Sequence, residues 1–505
     1  MGAHRSAIAG AFAAALALAL SLVLALVAAC RAPRAAEPAP RLVLLYATCT
    51  VNKHFLSPYA PEITFTPRLG ELAREAVVFH RHRTEAGQSG TAFASIFSGA
   101  QADRHGVFRH PSRLADEVEL VGETFRRGGW DVVTWLEHDM ASAELGYAQG
   151  ARASFDRKLA AGDGELRRVL AELRRDGGYR ALLITNFTVT HGPYQTAALE
   201  WFCGLYPDVC SAREDREAFD RYADFYRRAH AFLSYDFPAT RERTGMDEPR
   251  LAELVAAVEL LYRANVAYLD QLFGAVVDEI RGAGLWEESV IVFTADHGET
   301  LYRDGTYFKW THGHQLAPEV LEVPLVVRAP GVAAGDWEGV TRSIDVFPTL
   351  AGLAGLPPPA GEGYGVDLAP ALLGRQPRPE LEAWSHTALI AEPVAEASRK
   401  WSLFHSMYPR VDPELMWVEL RRGERVWQLR RTPAGEPEPA VFDLASDPWE
   451  LANLYRPDGG EDPAFAELRR YRARLIAAWH EHAARRQEID PERQEELLRS
   501  LGYVD

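Results

Sequence analysis

Positive charge is in short supply in this chain of 505 residues, with 55 Lys and Arg against 71 Asp and Glu and a formal net charge of −16. A balance of that sign disfavours the phosphate-tracking surface of a nucleic-acid binder, so nucleic acid is not an expected partner. Attraction for an anionic substrate then has to be local, from a metal ion or a few convergent cations. Long hydrophobic runs are equally scarce. Only one is present, which excludes a polytopic membrane protein. No internal repeat is visible, and 39 Gly and 31 Pro are too few for a collagenous or low-complexity chain. Cysteine is limited to positions 30, 49, 203 and 210. With 47% hydrophobic residues the composition is globular, and a large core is affordable at this length.

The one apolar run, Ala7 to Ala29, follows Arg5 and ends in Val27-Ala28-Ala29-Cys30, which resembles the lipobox of bacterial lipoproteins. Residues 1–30 therefore read as a targeting segment: a lipoprotein signal, an uncleaved membrane anchor, or a simple secretion signal. Residues 31–40, rich in Ala and Pro, read as an extended linker. The expected location is the bacterial cell envelope, tethered to the membrane and facing the periplasm or the exterior. Beyond Cys30 the cysteine count is odd. Cys203 and Cys210 are close enough to close a small disulfide loop, and Cys49 reads most simply as a small buried hydrophobe.

Arg41–Tyr46 and Ser289–Thr294 are continuous apolar runs of the kind found in central strands covered on both faces. Residues 131–135, 180–185 and 323–328 are further strand candidates, and apolar spacing of three and four predicts a helix over 251–280. Alternation of this sort implies an α/β fold with a mostly parallel central sheet flanked by helices. Breaks at Pro357–Pro359 and Arg375–Pro379 separate a larger domain, 41–375, from a smaller C-terminal antiparallel α+β subdomain with a helical tail, 376–505.

Functional groups in such sheets gather beyond the carboxyl ends of the strands, where Cys49 and the pair Asp296-His297 both fall. A carboxylate and an imidazole in one tight turn can face a common divalent ion. His191 in Thr190-His191-Gly192-Pro193-Tyr194, and His312 in Thr311-His312-Gly313-His314, sit in glycine-bearing loops, poor core positions that suit ligands or proton donors. Ser89 and Thr91 precede a predicted helix, where a hydroxyl is either an N-cap or a nucleophile beside exposed N–H groups.

Taken together these segments resemble the alkaline phosphatase superfamily, sulfatase branch, across residues 41–456. Leu44–Tyr59 resembles its opening strand and first metal loop, and Ser89–Gly99 with His105-Gly106 its nucleophile helix. Thr294-Ala295-Asp296-His297-Gly298-Glu299 resembles its second metal loop, and Arg342–Leu350 and Phe442–Leu454 later landmarks. The resemblance implies a metal-dependent hydrolase or transferase acting on an anionic phosphate or sulfate ester, with a lipid- or glycan-linked substrate among the options. Two departures matter. The formylglycine signature CxPSR or SxPSR is replaced by Ser89-Gly90-Thr91-Ala92-Phe93, so an unmodified Ser89, with Thr91 as its competitor, is expected as nucleophile. Cys49 stands where the family has a metal carboxylate, and a thiolate suits zinc better than calcium or manganese, which remain possible. The implied metal ligands are Cys49, Asp296, His297 and Ser89. Lys309 and His191 are the expected contacts to the non-bridging oxygens, and His312 is the expected acid for the leaving oxygen. Thr190–Tyr194 with the Cys203/Cys210 pair also resembles phosphoethanolamine transferases, whose multi-helix membrane domain is missing here. A catalytically inactive, ligand-binding lipoprotein of the same fold is the remaining alternative. The aromatic insertion 195–249 reads as packed helices or as an entrance for a lipid or glycan.

Overall fold

The computed structural model describes residues 39–505 apart from 110, 236, 305, 307–308, 360, 391–409, 432–436, 461 and most positions after 483. The targeting segment 1–30 with Cys30, the linker to residue 38 and the end of the helical tail lie outside the described residues.

Eight strands form the main sheet: β1 (Leu42–Thr48), β2 (Val77–Arg83), β3 (Asp131–Leu136), β4 (Ala153–Phe155), β5 (Ala181–Asn186), β6 (Ser289–Ala295), β7 (Leu325–Arg328) and β8 (Gly335–Arg342). Their order is β4-β3-β5-β1-β6-β7-β2-β8. Every pairing is parallel except those of β7 with β6 and β2, so the run expected over 323–328 enters as the one reversed strand of this sheet. β1 lies near the centre. Its alternate residues Leu42, Leu44 and Tyr46 belong to one apolar layer, and Val43, Leu45 and Ala47 to the other. That two-faced burial explains the unbroken apolar sequence of the strand.

The first layer is filled by α2 (Glu248–Gly282), which starts where the Asp247 carboxylate accepts from the Arg250 N–H and buries Leu254, Val258, Leu261 and Phe273. The second contains α1 (Ser89–Ser98), whose ten residues are all buried, with Phe93 and Phe97 packed under the sheet. The insertion 195–249 is mostly packing material. Phe202, Phe219, Tyr222 and Tyr226 join the first layer, and the Cys203–Cys210 disulfide is formed. Trp201 is the member left exposed.

A second sheet of four antiparallel strands, β9 (Glu382–Thr387), β10 (Trp417–Arg422), β11 (Arg425–Arg430) and β12 (Glu438–Asp443), is covered by the helix α3 (Pro463–Ala483) through Leu468, Tyr471 and Leu475. A buried ionic joint ties it to the large sheet. Arg83 of β2 pairs with Glu419 of β10, and Glu322 bridges Lys53, Arg83 and Arg421. Neither Arg83 nor Glu419 is solvent-exposed, so removal of Glu419 leaves the buried Arg83 guanidinium with only its longer 3.4 Å contact to Glu322. Glu419→Ala is expected to destabilise the protein by about 3–5 kcal/mol in denaturant unfolding; a change within about 0.5 kcal/mol would show that the joint is dispensable.

Candidate active site

The register of the sheet builds the site. Thr48 pairs with Ala295, so the next residue of each strand, Cys49 and Asp296, emerges side by side at the carboxyl edge. The two turns are then knitted together. The Asp296 N–H donates to Thr48 O at 3.0 Å, the Thr50 N–H to Asp296 Oδ1 at 3.1 Å, and the Val51 N–H to His297 O at 3.0 Å. Thr50 has φ 61°, a left-handed conformation costly for a β-branched residue. The chain accepts this strain at the residue that follows Cys49.

His297 is oriented by its own neighbour. Nδ1 lies 2.9 Å from Gly298 O and donates to it, which leaves the Nε2 lone pair facing the cluster. Ser89, the first residue of α1, completes the group, with Oγ 3.0 Å from His297 Nε2 and 3.4 Å from Cys49 Sγ. Cys49 Sγ lies 3.9 Å from His297 Nε2, and Asp296 Oδ2 lies 3.4 Å from the same nitrogen. Ligands around a tetrahedral zinc ion at about 2.0–2.3 Å stand about 3.3–3.8 Å from one another, so these separations match one ion's coordination sphere. Asp296 Oδ2 is buried without a hydrogen-bond partner among the described residues, which suits it to ligate a cation. Burial pushes the Cys49 thiol well above its usual pKa, reinforced by Asp296, and burial also raises Asp296 against the opposing pull of His297. A thiol, a carboxylate, an imidazole and a hydroxyl in so closed a space fit a divalent cation.

Of the two candidate nucleophiles, Ser89 touches the cluster. The Thr91 hydroxyl is buried with no hydrogen-bond partner among the described residues. The sequence Cys49-Thr50-Val51-Asn52-Lys53 also lacks the Pro and Arg of the formylglycine signature.

His312 is brought beside the cluster, its ring centroid 4.2 Å from that of His297, and His191 stands 5.0 Å from His312. His191 arrives on the loop after β5, where the Thr190 hydroxyl donates to Cys49 O at 2.6 Å. Lys309 has a different task from the one expected of it. Its three ammonium hydrogens are matched by Arg303 O, Thr306 O and Thr306 Oγ1 at 2.5, 2.6 and 3.1 Å, and it lies over the Tyr302 ring. Half-burial lowers its pKa to about 8. Lys309 therefore ties together Arg303 and Thr306. One residue beside the site was not singled out from sequence: Glu299, fully buried, whose Oε1 lies 3.2 Å from His312 Nδ1. The signal available for it was its place in the quoted second metal loop.

The sequence profile of the family described as Sulfatase matches residues 167–356. The choline-sulfatase of Rhizobium meliloti (strain 1021) is 25% identical over 465 residues, 82% of each chain. Human arylsulfatase A is 28% identical over 278 residues, 53% of this chain and 50% of that one. Among solved structures, the phosphonate monoester hydrolase of Agrobacterium radiobacter superposes with a TM-score of 0.58 at 19% identity, covering 88% of this chain and 96% of that one. A protein solved in complex with its substrate D-glucosamine-2-N,6-O-disulfate superposes with a TM-score of 0.61 at 16% identity, covering 88% and 98%.

The tightest packing in the site is at Gly298, where a Cβ would fall 1.9 Å from the backbone oxygen of Glu319. Gly298→Ala is expected to push the His297 turn off that backbone and to cost about 1–3 kcal/mol, seen as a lower Tm. An unchanged Tm would refute the close approach.

Proposed function

We propose, because the chain belongs to the alkaline phosphatase-like sulfatase superfamily, that it is a hydrolase of sulfate-, phosphate- or phosphonate-type esters and that unmodified Ser89 is its attacking group. The observation that carries this reading is the convergence of Ser89 Oγ, Cys49 Sγ, Asp296 Oδ2 and His297 Nε2, with separations of 3.0–3.9 Å, from three distant segments. Within that range of esters we assign a phosphorus ester, since an unmodified hydroxyl is the nucleophile suited to it and the formylglycine signature is missing at Ser89.

The four atoms are also the ones that would hold a divalent ion, and the thiol among them favours zinc over calcium or manganese. Held by Cys49, Asp296, His297 and Ser89, such an ion would supply Lewis-acid chemistry that favours the ionised serine hydroxyl and offsets the charge of the ester. The remaining work falls to the chain. The first turn of α1 directs its free N–H groups toward the anionic ester and fixes Ser89 for in-line attack. Oγ bonds to the central atom as the bond to the leaving oxygen breaks, and water later releases Ser89. In this reading His191 contacts a non-bridging oxygen and His312 gives its proton to the leaving oxygen, supported by ring centroids 5.0 Å apart for His191 and His312 and 4.2 Å apart for His312 and His297. The apolar segment 1–30 supports a membrane-tethered place in the cell envelope for this activity.

An ester panel of aryl phosphate, phosphodiester, phosphonate and sulfate, run with metal analysis of the full-length protein, tests the assignment. Ser89→Ala is expected to lower kcat/KM by about 10³-fold or more, with part of the metal content retained through the three remaining ligands Cys49, Asp296 and His297. Turnover unaffected by that change would remove Ser89 as nucleophile. Cys49→Ala should lose zinc, and Cys49→Asp should move the metal preference toward oxygen-seeking ions such as calcium. Zinc content indifferent to both changes would exclude the thiolate ligand. Mass spectrometry after substrate trapping should find phosphoserine at Ser89. An aldehyde at Ser89 or Cys49 would point instead to a formylglycine sulfatase, and absence of metal and turnover together to a binding protein.

A further inference from the structure

The loop between the second metal turn and His312 is closed at its neck. Thr300 and Thr311 form an antiparallel bridge, with the Thr300 N–H donating to Thr311 O at 3.1 Å and the Thr300 hydroxyl to the same oxygen at 2.6 Å. The Thr311 N–H returns a bond to the Thr300 hydroxyl at 3.3 Å. The residues just outside this neck, Glu299 and His312, are thereby set opposite each other. Glu299 Oε1 faces His312 Nδ1 at 3.2 Å. The Glu299 backbone is anchored from the other side, its carbonyl accepting from Asn52 Nδ2 at 3.1 Å. Trp310 immediately before the neck is held at φ 51°, a conformation that a bulky residue adopts only under constraint.

We infer that Glu299 is a positioning residue for leaving-group protonation: its carboxylate takes the Nδ1–H of His312 and so turns the Nε2–H of that ring toward the ester. The inference rests on the reading of His312 as the acid given above. The arrangement has a clear chemical consequence. An imidazole whose Nδ1–H is fixed by a carboxylate has one ring orientation, and its other nitrogen carries the transferable proton. In the step itself, the bond from Ser89 Oγ to phosphorus forms and the bond from phosphorus to the leaving oxygen breaks. The electron pair leaves on that oxygen, which takes the proton from His312 Nε2. Glu299 Oε1 accepts from His312 Nδ1 before and after the proton leaves Nε2, so the ring keeps one orientation through the step. Its burial protects the pair from competing water, since Glu299 is 0% and His312 8% exposed.

Such a role predicts a dependence on the leaving group. A 4-nitrophenolate departs readily without a proton, whereas an alkoxide needs one. The test compares kcat/KM for a 4-nitrophenyl ester and a methyl ester of the same acid in the full-length protein, with metal content and Tm measured on each variant. Glu299→Gln is expected to lower the alkyl-ester rate by about 100-fold and the aryl-ester rate by less than about 10-fold. Metal content should stay at the parental level. His312→Ala should show the same selective loss, and Glu299→Gln/His312→Ala should be no worse than His312→Ala alone. Glu299→Asp, which keeps the charge on a shorter arm, should recover part of the alkyl-ester rate. Equal losses on both esters in Glu299→Gln, or multiplying losses in the double variant, would overturn the positioning role while leaving His312 as the acid. A His312→Ala variant without leaving-group selectivity would overturn the assignment of the acid itself, and the inference with it. Should Glu299→Gln fail to fold, a downfield Nδ1–H proton resonance from His312 in the parent supports the pair, and a His312 ring protonated only at Nε2 overturns it.

Discussion

The parallel pairing of β1 with β6 is the constraint on which the rest depends. Because Thr48 is registered with Ala295, the first residues beyond the two strands share one spot at the sheet edge although 246 positions separate Thr50 from Asp296. A shift of a single residue would turn every side chain of β1 to the other face and bury Cys49 in a different layer. Both faces of β1 are apolar and covered, which holds the register against such a slip. The site is therefore as rigid as the core that presents it.

Rigidity has costs, and they are concentrated where the chemistry is placed. Thr50 and Trp310 both occupy left-handed backbone conformations, one next to Cys49 and one two residues before His312. Gly298 is pressed against the backbone of Glu319, so the His297 turn has no room to relax. Around it, acidic groups are enclosed with their proton affinities raised by burial, among them Cys49, Asp296 and Glu299. An assembly of that kind gains most when a positive charge enters it, and this electrostatic incompleteness fits the donor set of thiol, carboxylate and imidazole.

Much of this was readable in advance, because the features in question are local. The apolar runs at 41–46 and 289–294 announce the buried strands Leu42–Thr48 and Ser289–Ala295, the spacing over 251–280 announces the helix Glu248–Gly282, and the small, hydroxylated residues around Ser89 announce a helix start, which falls at Ser89 itself. The reversal of β7 was not readable. A buried strand has the same composition in either direction, and only its neighbours fix the sense. Lys309 shows a different limit. The electrostatic demand of ester transfer suggested it as a contact with the non-bridging oxygens, whereas its ammonium donates to the backbone oxygens of Arg303 and Thr306, which no local pattern announces. The aromatics of 195–249 likewise proved to be largely core once α2 was there to receive them.

The sequence by itself determined the α/β class, the helix and strand that carry Ser89 and Asp296, and the small set of residue types able to do the chemistry. Spacing and hydrophobic period are properties of neighbouring residues, and those are written in order along the chain. Which of these residues meet was decided by the tertiary structure alone. The contacts between Ser89 and His297, between Cys49 and Asp296, and between Glu299 and His312 arise from strand register and from the Thr300–Thr311 neck. Proximity across a sheet follows from packing many side chains at once, and no local pattern encodes it.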